Sequence, residues 1–318
     1  MGTFIFRRII ISLVIIIIIT MIVFLCMRLL PGDPILIYMS GENLETLDPT
    51  SLAALRAKYG LDKPLPVQYI NWIFNIIRGD FGTSIIRGQP VNSLLVQCFP
   101  ITVHLGILAF LFGTMMGIFS GVICALRRGT WIDNVITLLA NAGITMPTFW
   151  LGILLIYFFS LKLGWLPTSG YTSPFKDFWL STRQIIMPVL CLSIGTIAGL
   201  CRLTRSSMLE VIRQDYVRTA WAKGLRERII VVRHELKNGL IPIVTIMGMQ
   251  VGMIFGGSVI IETIFNIPGV GRLTVSALFE QDYQIVQASV LIMGMIILLT
   301  NLLVDISYAW LDPRIRYS

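Results

Sequence analysis

Charge is what this 318-residue chain has least of: 13% of its residues are Asp, Glu, Lys or Arg, against 55% that are hydrophobic. A soluble domain carries about a quarter of its residues as charges, so an ordinary water-soluble globule is excluded, and a disordered chain with it. The two histidines, His104 and His234, are far apart, and no acid, base and nucleophile stand together as a catalytic set. No Gly-Lys pair occurs, so the loop that cradles phosphate with Gly-Lys-Ser/Thr is missing and the chain is not expected to bind or hydrolyse ATP by itself. The five cysteines, Cys26, Cys98, Cys124, Cys191 and Cys201, contain no CxxC, and only Cys98 lies outside an apolar run. They read as small buried apolar residues, neither ligands nor disulfide partners. No His, Cys and carboxylate cluster has ligand spacing, so neither a metal nor a cofactor is expected.

What the chain has instead is long apolar runs. From Ile9 to Met27 only Ser12 and Thr20 are polar, which makes about 28 Å of helix, close to the ~30 Å hydrocarbon core of a bilayer. The stretch is too long for a signal-peptide core, and no small-residue cleavage site follows, so it reads as a permanent span. Ile101–Leu126, Val135–Leu161, Ile185–Leu200, Leu240–Ile261 and Ile285–Val304 are free of Asp, Glu, Lys and Arg. The fourth is short but can extend past Arg202, whose long side chain reaches the interface from near a helix end. The expectation is an all-α polytopic membrane protein with six transmembrane helices.

The formal charge of +8 suggests cytoplasmic loops, not nucleic acid. With the N-terminus inside, most basic residues fall on the cytoplasmic side, from Arg7 and Arg8 through the Arg202–Lys237 cluster to Arg314 and Arg316. The positive-inside rule then places both termini in the cytoplasm. Three regions follow: residues 1–30, the N-terminal tail and first span; 31–97, an extracytoplasmic helical insertion; and 98–318, five helices containing a cytoplasmic loop at 206–237. Within the insertion, Asp48-Pro49 and Gly60 frame one short helix. A second begins near Pro66 with Tyr69, Trp72, Ile73, Ile76 and Ile77 along one face. This pair is too small for a core of its own and is expected to lie against the outer membrane face or the mouths of other spans.

Glycine recurs at four-residue steps at Gly113, Gly117 and Gly121, at Gly248, Gly252 and Gly256, and at Gly195 and Gly199. Such stripes allow close helix approach, serving either fixed packing or a sliding surface. Met146-Pro147, Pro188 and Pro242 loosen local hydrogen bonding, as a structural kink or as part of a path. His104, Asn141, Gln250, Gln287 and Asn301 are polar within spans, with interhelical hydrogen bonding as their ordinary role. Asp215–Gly224 reads as a short amphipathic helix with Val217, Ala220, Trp221 and Gly224 at i, i+3, i+4 and i+7. Arg213, Arg218 and Lys223 form its polar side, Gly224 suits a left-handed stop, and a second basic helix leads through Arg233-His234 into the fifth span. Such a helix can lie on anionic lipid or dock in a protein groove with Trp221 as anchor, and periodicity does not separate the two.

DYVRTAWAKGL (Asp215–Leu225), followed by RHELKNGLIPIVT (Arg233–Thr245), resembles the cytoplasmic signature of permease subunits of binding-protein-dependent ABC importers. The closer resemblance is to the dipeptide/oligopeptide branch, which includes nickel and glutathione importers. LLPGDP (Leu29–Pro34), YGLDKPL (Tyr59–Leu65), RGDFGTS (Arg78–Ser84), LPTSGY (Leu166–Tyr171), LTRSSMLEV (Leu203–Val211), IETIFNIPGVGR (Ile261–Arg272) and LDPRIRY (Leu311–Tyr317) extend it over nearly the whole chain. The wider signature begins Glu-Ala-Ala; here Arg218, Thr219 and Ala220 stand in those places and the glutamate is missing.

The resemblance implies an ABC importer permease fold in a bacterial inner membrane and a subunit that is not itself an enzyme. It also implies a second homologous permease, two ABC ATPase subunits and an extracytoplasmic solute-binding protein. Asp215, Val217, Arg218, Ala220, Trp221, Gly224, Leu225 and His234 would then belong to the coupling contact with an ATPase. Met146, Pro147, Gln250, Glu262, Asn266, Pro268 and Gly269 are the candidates for a translocation path or gate. Di- and oligopeptides are the expected cargo, nickel, a metal chelate or glutathione the alternative. An ATPase-independent secondary transporter or channel is the reading from another class, disfavoured because the spans hold almost no ionisable residues.

Overall fold

The computed structural model describes residues 2–29, 53–54, 56–57 and 59–311. The longer helices among these residues are numbered in chain order. They are α1 (Gly2–Leu29), α2 (Leu65–Ile77), α3 (Val91–Leu126), α4 (Trp131–Thr145), α5 (Thr148–Leu155, continued by a π-wound Ile156–Lys162), α6 (Phe178–Ile212), α7 (Asp215–Ala222), α8 (227–239), α9 (Ile241–Ile264), α10 (Val270–Phe279) and α11 (Tyr283–Leu311). Helices α1, α3, α6, α9 and α11 are long and apolar enough to cross a bilayer, and α4 with α5 makes a sixth span if that pair is counted as one. Among the described residues there is no strand, only an isolated bridge between Thr83 and Pro90.

The third apolar run is not a straight helix. It breaks at Met146-Pro147 and turns through 109°. Proline excludes its predecessor from the helical region, and Met146 accordingly takes φ −80° and ψ 123°. Pro188 behaves otherwise: it is buried inside α6, which runs on through it. The apolar run Ile185–Leu200 is short because Arg183 and Arg202, both exposed side chains of α6, bound it, while the helix itself continues past each of them. Asp177 caps its start, the carboxylate accepting from the Leu180 N–H at 2.9 Å. Helix α3 likewise begins ten residues before its apolar run, passing through Pro100, because Val91, Leu94 and Leu95 are buried in a core.

The chain divides into two compact units, the first formed by residues of 1–102 and 268–302, the second by residues of 103–267 and from 303 onward. The first has a core of Met27, Val91, Leu94, Leu95, Val270, Leu273, Ile285 and Val286. Helix α2 lies against the end of α1. The Tyr69 hydroxyl is 3.0 Å from Thr20 Oγ1, and Tyr69 and Trp72 cluster with Phe24. Tyr69, Trp72, Ile73 and Ile76 are half-buried, but Ile77, assigned to the same face from its spacing, is 75% exposed. Before α2, Gly60 (φ +65°) closes a helical turn: its N–H reaches Ala57 O and the Leu61 N–H reaches Arg56 O. The Asp48-Pro49 start expected for that turn lies outside the described residues. Between α2 and α3 a tight loop is fastened to Asp282, a fully buried residue. Its carboxylate accepts from the Ser84 hydroxyl, from the Ile86 N–H and, as the cap of α11, from the Ile285 N–H.

In the second unit the glycine stripe of α3 meets α6 backbone to backbone. A Cβ at Gly113 would stand 3.0 Å from Thr196 Cβ, one at Gly117 2.8 Å from Leu200 Cβ, and one at Gly121 2.6 Å from Cys201 O. In this structure the stripe forms a close-packed seam with α6. Gly195 and Gly256 differ, with nothing within 4 Å of an added Cβ. Asp133, at the start of α4, is 2% exposed and receives a bidentate fork from Arg205 of α6, both bonds 2.8 Å long. Cys124, Cys191 and Cys201 are buried and Cys98 is partly so, whereas Cys26 is exposed on α1.

The α3–α6 contact makes a stability prediction. Gly121→Leu should cost the 1–3 kcal/mol typical of overpacking, or more because backbone rather than a flexible side chain is in the way. Gly256→Ala should stay within about 0.5 kcal/mol. Thermal unfolding of the purified variants in detergent decides it, and equal behaviour of the two would overturn the packing role.

Candidate functional site

The amphipathic segment folds as the eight-residue helix α7. Its apolar residues do not share one destination. Val217 and Ala220 are buried with Ile230 of α8, and Val211 and Leu225 pack on that cluster. Trp221, placed on the same face by periodicity, is 51% exposed. At the end of α7 the chain turns through Gly224 at φ +71°. The Gly224 N–H meets Trp221 O at 2.9 Å and the Leu225 N–H meets Ala220 O at 3.4 Å, the paired closure of a left-handed stop, with Leu225 covering the turn. Asp215 and Arg218 approach to 3.6 Å, but both are so exposed that the pair contributes little.

Helix α8 carries α7 on its side. Asn238 Nδ2 donates to the Tyr216 hydroxyl at 3.2 Å and to His234 O at 2.8 Å. His234 is thus in the body of α8, half-buried, and not on α7. The middle of α8, Ile230–Leu236, is π-wound, and no residue pattern announces it. Its foot is tied to α6 by the Ser207 hydroxyl, which donates to Gly239 O at 2.8 Å. Ile230 and Glu235 are the residues sequence reasoning passed over. Glu235 is 3% exposed, and its Oε2 has no hydrogen-bond partner. Burial first, and the negative charge of Glu227 second, push its carboxyl above the ordinary carboxylate range.

The sign of that effect is fixed by linkage. A folded state that holds the proton more tightly than the unfolded chain is most stable below the unfolded pKa of about 4.3. It loses stability as pH rises from there through the raised folded value, and stays at the lower level above it. Glu235→Gln should therefore raise the melting temperature at pH 7–8, and the advantage should shrink as pH falls toward 4. An advantage independent of pH would show that burial of the charge is not the cause.

The candidate path residues do not form one cluster. Met146 and Pro147 are the break between α4 and α5. Gln250 is buried in α9, where its Oε1 accepts from Thr196 of α6 at 3.2 Å. Glu262, fully buried, is twelve residues further along α9, about 18 Å away along the axis. Asn266 adopts φ +52° and stops α9: its N–H reaches Thr263 O and the Ile267 N–H reaches Glu262 O at 2.8 Å. Asparagine is the side chain other than glycine best suited to that position. Pro268 prevents continuation, and Gly269 is the extended residue ahead of α10. The IFNIPGVG block is thus a helix stop followed by a helix start. The LPTSGY segment reaches it, the Gly170 N–H donating to Phe265 O at 3.0 Å, while the Tyr171 hydroxyl pairs with His104 Nδ1 at 3.0 Å. Among the described residues no three His, Cys, Asp or Glu side chains come together as a metal site.

The family described as "Binding-protein-dependent transport system inner membrane component" matches residues 94–317, and its N-terminal companion, the "membrane comp, N-term" family, matches residues 1–106. The chain belongs to this permease family. The permease is 40% identical over 320 residues to the oligopeptide transport system permease protein AppB of Bacillus subtilis, with all of both chains covered. It is 38% identical over 317 residues to a probable peptide ABC transporter permease protein of Sinorhizobium fredii, again over the full length of both. To the glutathione transport system permease protein GsiC of Pectobacterium atrosepticum it is 41% identical, covering 95% of this chain and 94% of the relative. Its fold is that of ABC importer permeases. A chain of the inward-facing MetNI methionine ABC transporter superposes with a TM-score of 0.57 at 16% identity, covering 69% of the permease and 96% of that chain. An amino acid ABC transporter structure gives 0.52 at 16% identity, covering 67% and 92%. The permease is therefore a multi-pass membrane subunit of an ABC importer that works with ATPase and binding-protein partners.

Proposed function

We propose that this permease translocates di- and oligopeptides handed over by an extracytoplasmic binding protein, in a heterodimer with a second homologous permease above two ATPase subunits. The observation that carries the cargo is end-to-end similarity to relatives named as peptide and oligopeptide permeases. In this reading ATP binding draws the ATPases together, and α7, with Asp215, Arg218 and the outward Trp221 on its free surface, passes the movement to the spans. Val217, Ala220 and Leu225 hold α7 on α8, Gly224 ends it, and the break at Met146-Pro147 with the stop at Glu262–Gly269 are the candidate gate elements. A pathway lined by weak polar groups such as Gln250 suits alternating access better than ion relay, which needs a series of ionisable groups through the spans, where α9 offers Glu262 alone near its end. Both termini and α7 lie in the cytoplasm, as the distribution of basic residues indicates.

Reconstitution with the partner permease, ATPases and binding protein tests this. Labelled tripeptide should accumulate in proteoliposomes only with ATP, and nickel or glutathione should not compete. Accumulation of glutathione in place of the tripeptide would move the cargo to the alternative. For orientation, cysteine at Asn75 should react with an impermeant thiol reagent from outside, and cysteine at Arg226 only after permeabilisation; labelling of both from one side would overturn the topology.

A further inference from the structure

A cavity of about 860 Å³ lies within the first unit, between the end of α1, α2 and the first turns of α11, in the size range of small-molecule sites. Five residues around it each hold a buried polar atom without a hydrogen-bond partner: Arg28 Nε, Gln68 Oε1, Trp72 Nε1, Gln284 Oε1 and Gln287 Nε2. A buried unmet donor or acceptor costs roughly 1–3 kcal/mol, and structures hold only a few per 100 residues, so five around one cavity call for a reason. They are also built in by spacing. Gln68 and Trp72 are i and i+4 on α2, and Gln284 and Gln287 are i and i+3 on α11, so each helix turns one face to the cavity. The Gln68 amide nitrogen is already used on Lys63 O at 2.6 Å, which fixes its oxygen as the free acceptor. The Arg28 guanidinium rests 5.2 Å from the Phe24 ring centroid and 4.7 Å from that of Tyr283, and no described carboxylate is paired with it.

We propose that this cavity binds a short peptide by its C-terminal carboxylate. The site offers a guanidinium, an indole N–H and an amide N–H as donors, with two amide oxygens as acceptors. The matching ligand is an anion carrying both N–H and C=O groups, which is a peptide's carboxyl end. Arg28 and Trp72 take the carboxylate, Gln287 a backbone carbonyl, and Gln68 and Gln284 the backbone N–H groups. Lys63 and Arg78 outweigh Asp80 on the rim, so the cavity attracts an anion before contact. A phospholipid headgroup also offers an anion, but a phosphate is met best by clustered cations, and here four of the five unmet groups are neutral. The proposal rests on the peptide reading above and adds a holding site on the permease itself.

The test uses the assembled transporter without its binding protein, in nanodiscs of phosphatidylcholine, with trialanine and trialanine amide as probes in calorimetry. Trialanine should bind saturably and the amide at least tenfold more weakly. Arg28→Gln and Gln287→Leu should each weaken trialanine at least tenfold, and Gln287→Leu, which removes an unmet group, should melt no lower than the parent. Absence of saturable trialanine binding, equal binding of the amide, or indifference to both substitutions overturns the site. Displacement of trialanine by phosphatidylglycerol in the nanodisc overturns it in favour of a lipid. ATP-driven trialanine uptake with the binding protein present, run in parallel, separates the two readings: uptake without site binding sinks only the site, and absence of uptake sinks the peptide reading.

Discussion

Trp221→Ala should leave the permease inserted and folded yet weaken its hold on the ATPase subunits by roughly 30-fold, the equivalent of about 2 kcal/mol for truncating an aromatic anchor. The side chain is half exposed on α7 while Val217 and Ala220 carry the internal contacts, so its removal takes little from the fold. Gly224→Val acts differently. At φ +71° with no atom near an added Cβ, the difficulty is backbone conformation, not space. It costs about 1–2 kcal/mol and redirects the chain leaving α7. Both variants should lose ATP-driven uptake without loss of affinity for the binding protein. Pull-down of the ATPases from detergent, beside uptake in proteoliposomes, measures both effects. Full assembly and full uptake in both would make α7 a lipid-surface helix.

The second large effect is expected at Asp282. Its carboxylate holds the Ser84 hydroxyl and the Ile86 N–H while capping α11, so Asp282→Ala leaves buried donors unmet on two segments at once. A loss of about 2–4 kcal/mol follows. Because Arg78 and Arg87 are exposed in the loop it fastens, tryptic cleavage there should speed up by roughly 30-fold or more, as opening becomes more populated. Asp80→Ala, which removes only an exposed bond to the Gly82 N–H, should change cleavage little. Similar rates for the two would remove Asp282 from the role of fastener.

Spans were legible wherever lipid faces them, because apolar runs report exposure to hydrocarbon. The run Ile9–Met27 matches α1, most of whose side chains stay uncovered. Where a helix runs past its lipid-facing stretch the signal stops: α6 continues beyond the exposed Arg183 and Arg202, and α3 begins with Asn92, Ser93 and Gln97 ahead of its run. The proline at 147 could be read as a disturbance but not as a 109° turn, since Pro188 has the same local chemistry and leaves α6 continuous. The stop at Gly224 was legible because only glycine is at ease there. The split of α7 into an inward Val217–Ala220 pair and an outward Trp221 was not, since 100° per residue fixes neighbours on a face but not what lies opposite. Nothing in the composition marks the π-wound stretch of α8, or that Glu235 falls where water is excluded.

The glycines of α3 have a mechanical consequence. Between α3 and α6 there is almost no side-chain layer to shear, and Asp133 with Arg205 bolts α4 to the same helix. Close-packed backbones store little compression, so between Ser193 and Thr204 α6 has little room to move against α3. In the coupling reading proposed above, a push delivered at Ile212, where α6 runs out into α7, reaches this seam eight residues further along α6, about 12 Å away. Helix α6 is 35 residues long, about 52 Å of helix. A small rotation at one end is therefore a large lateral excursion at the other.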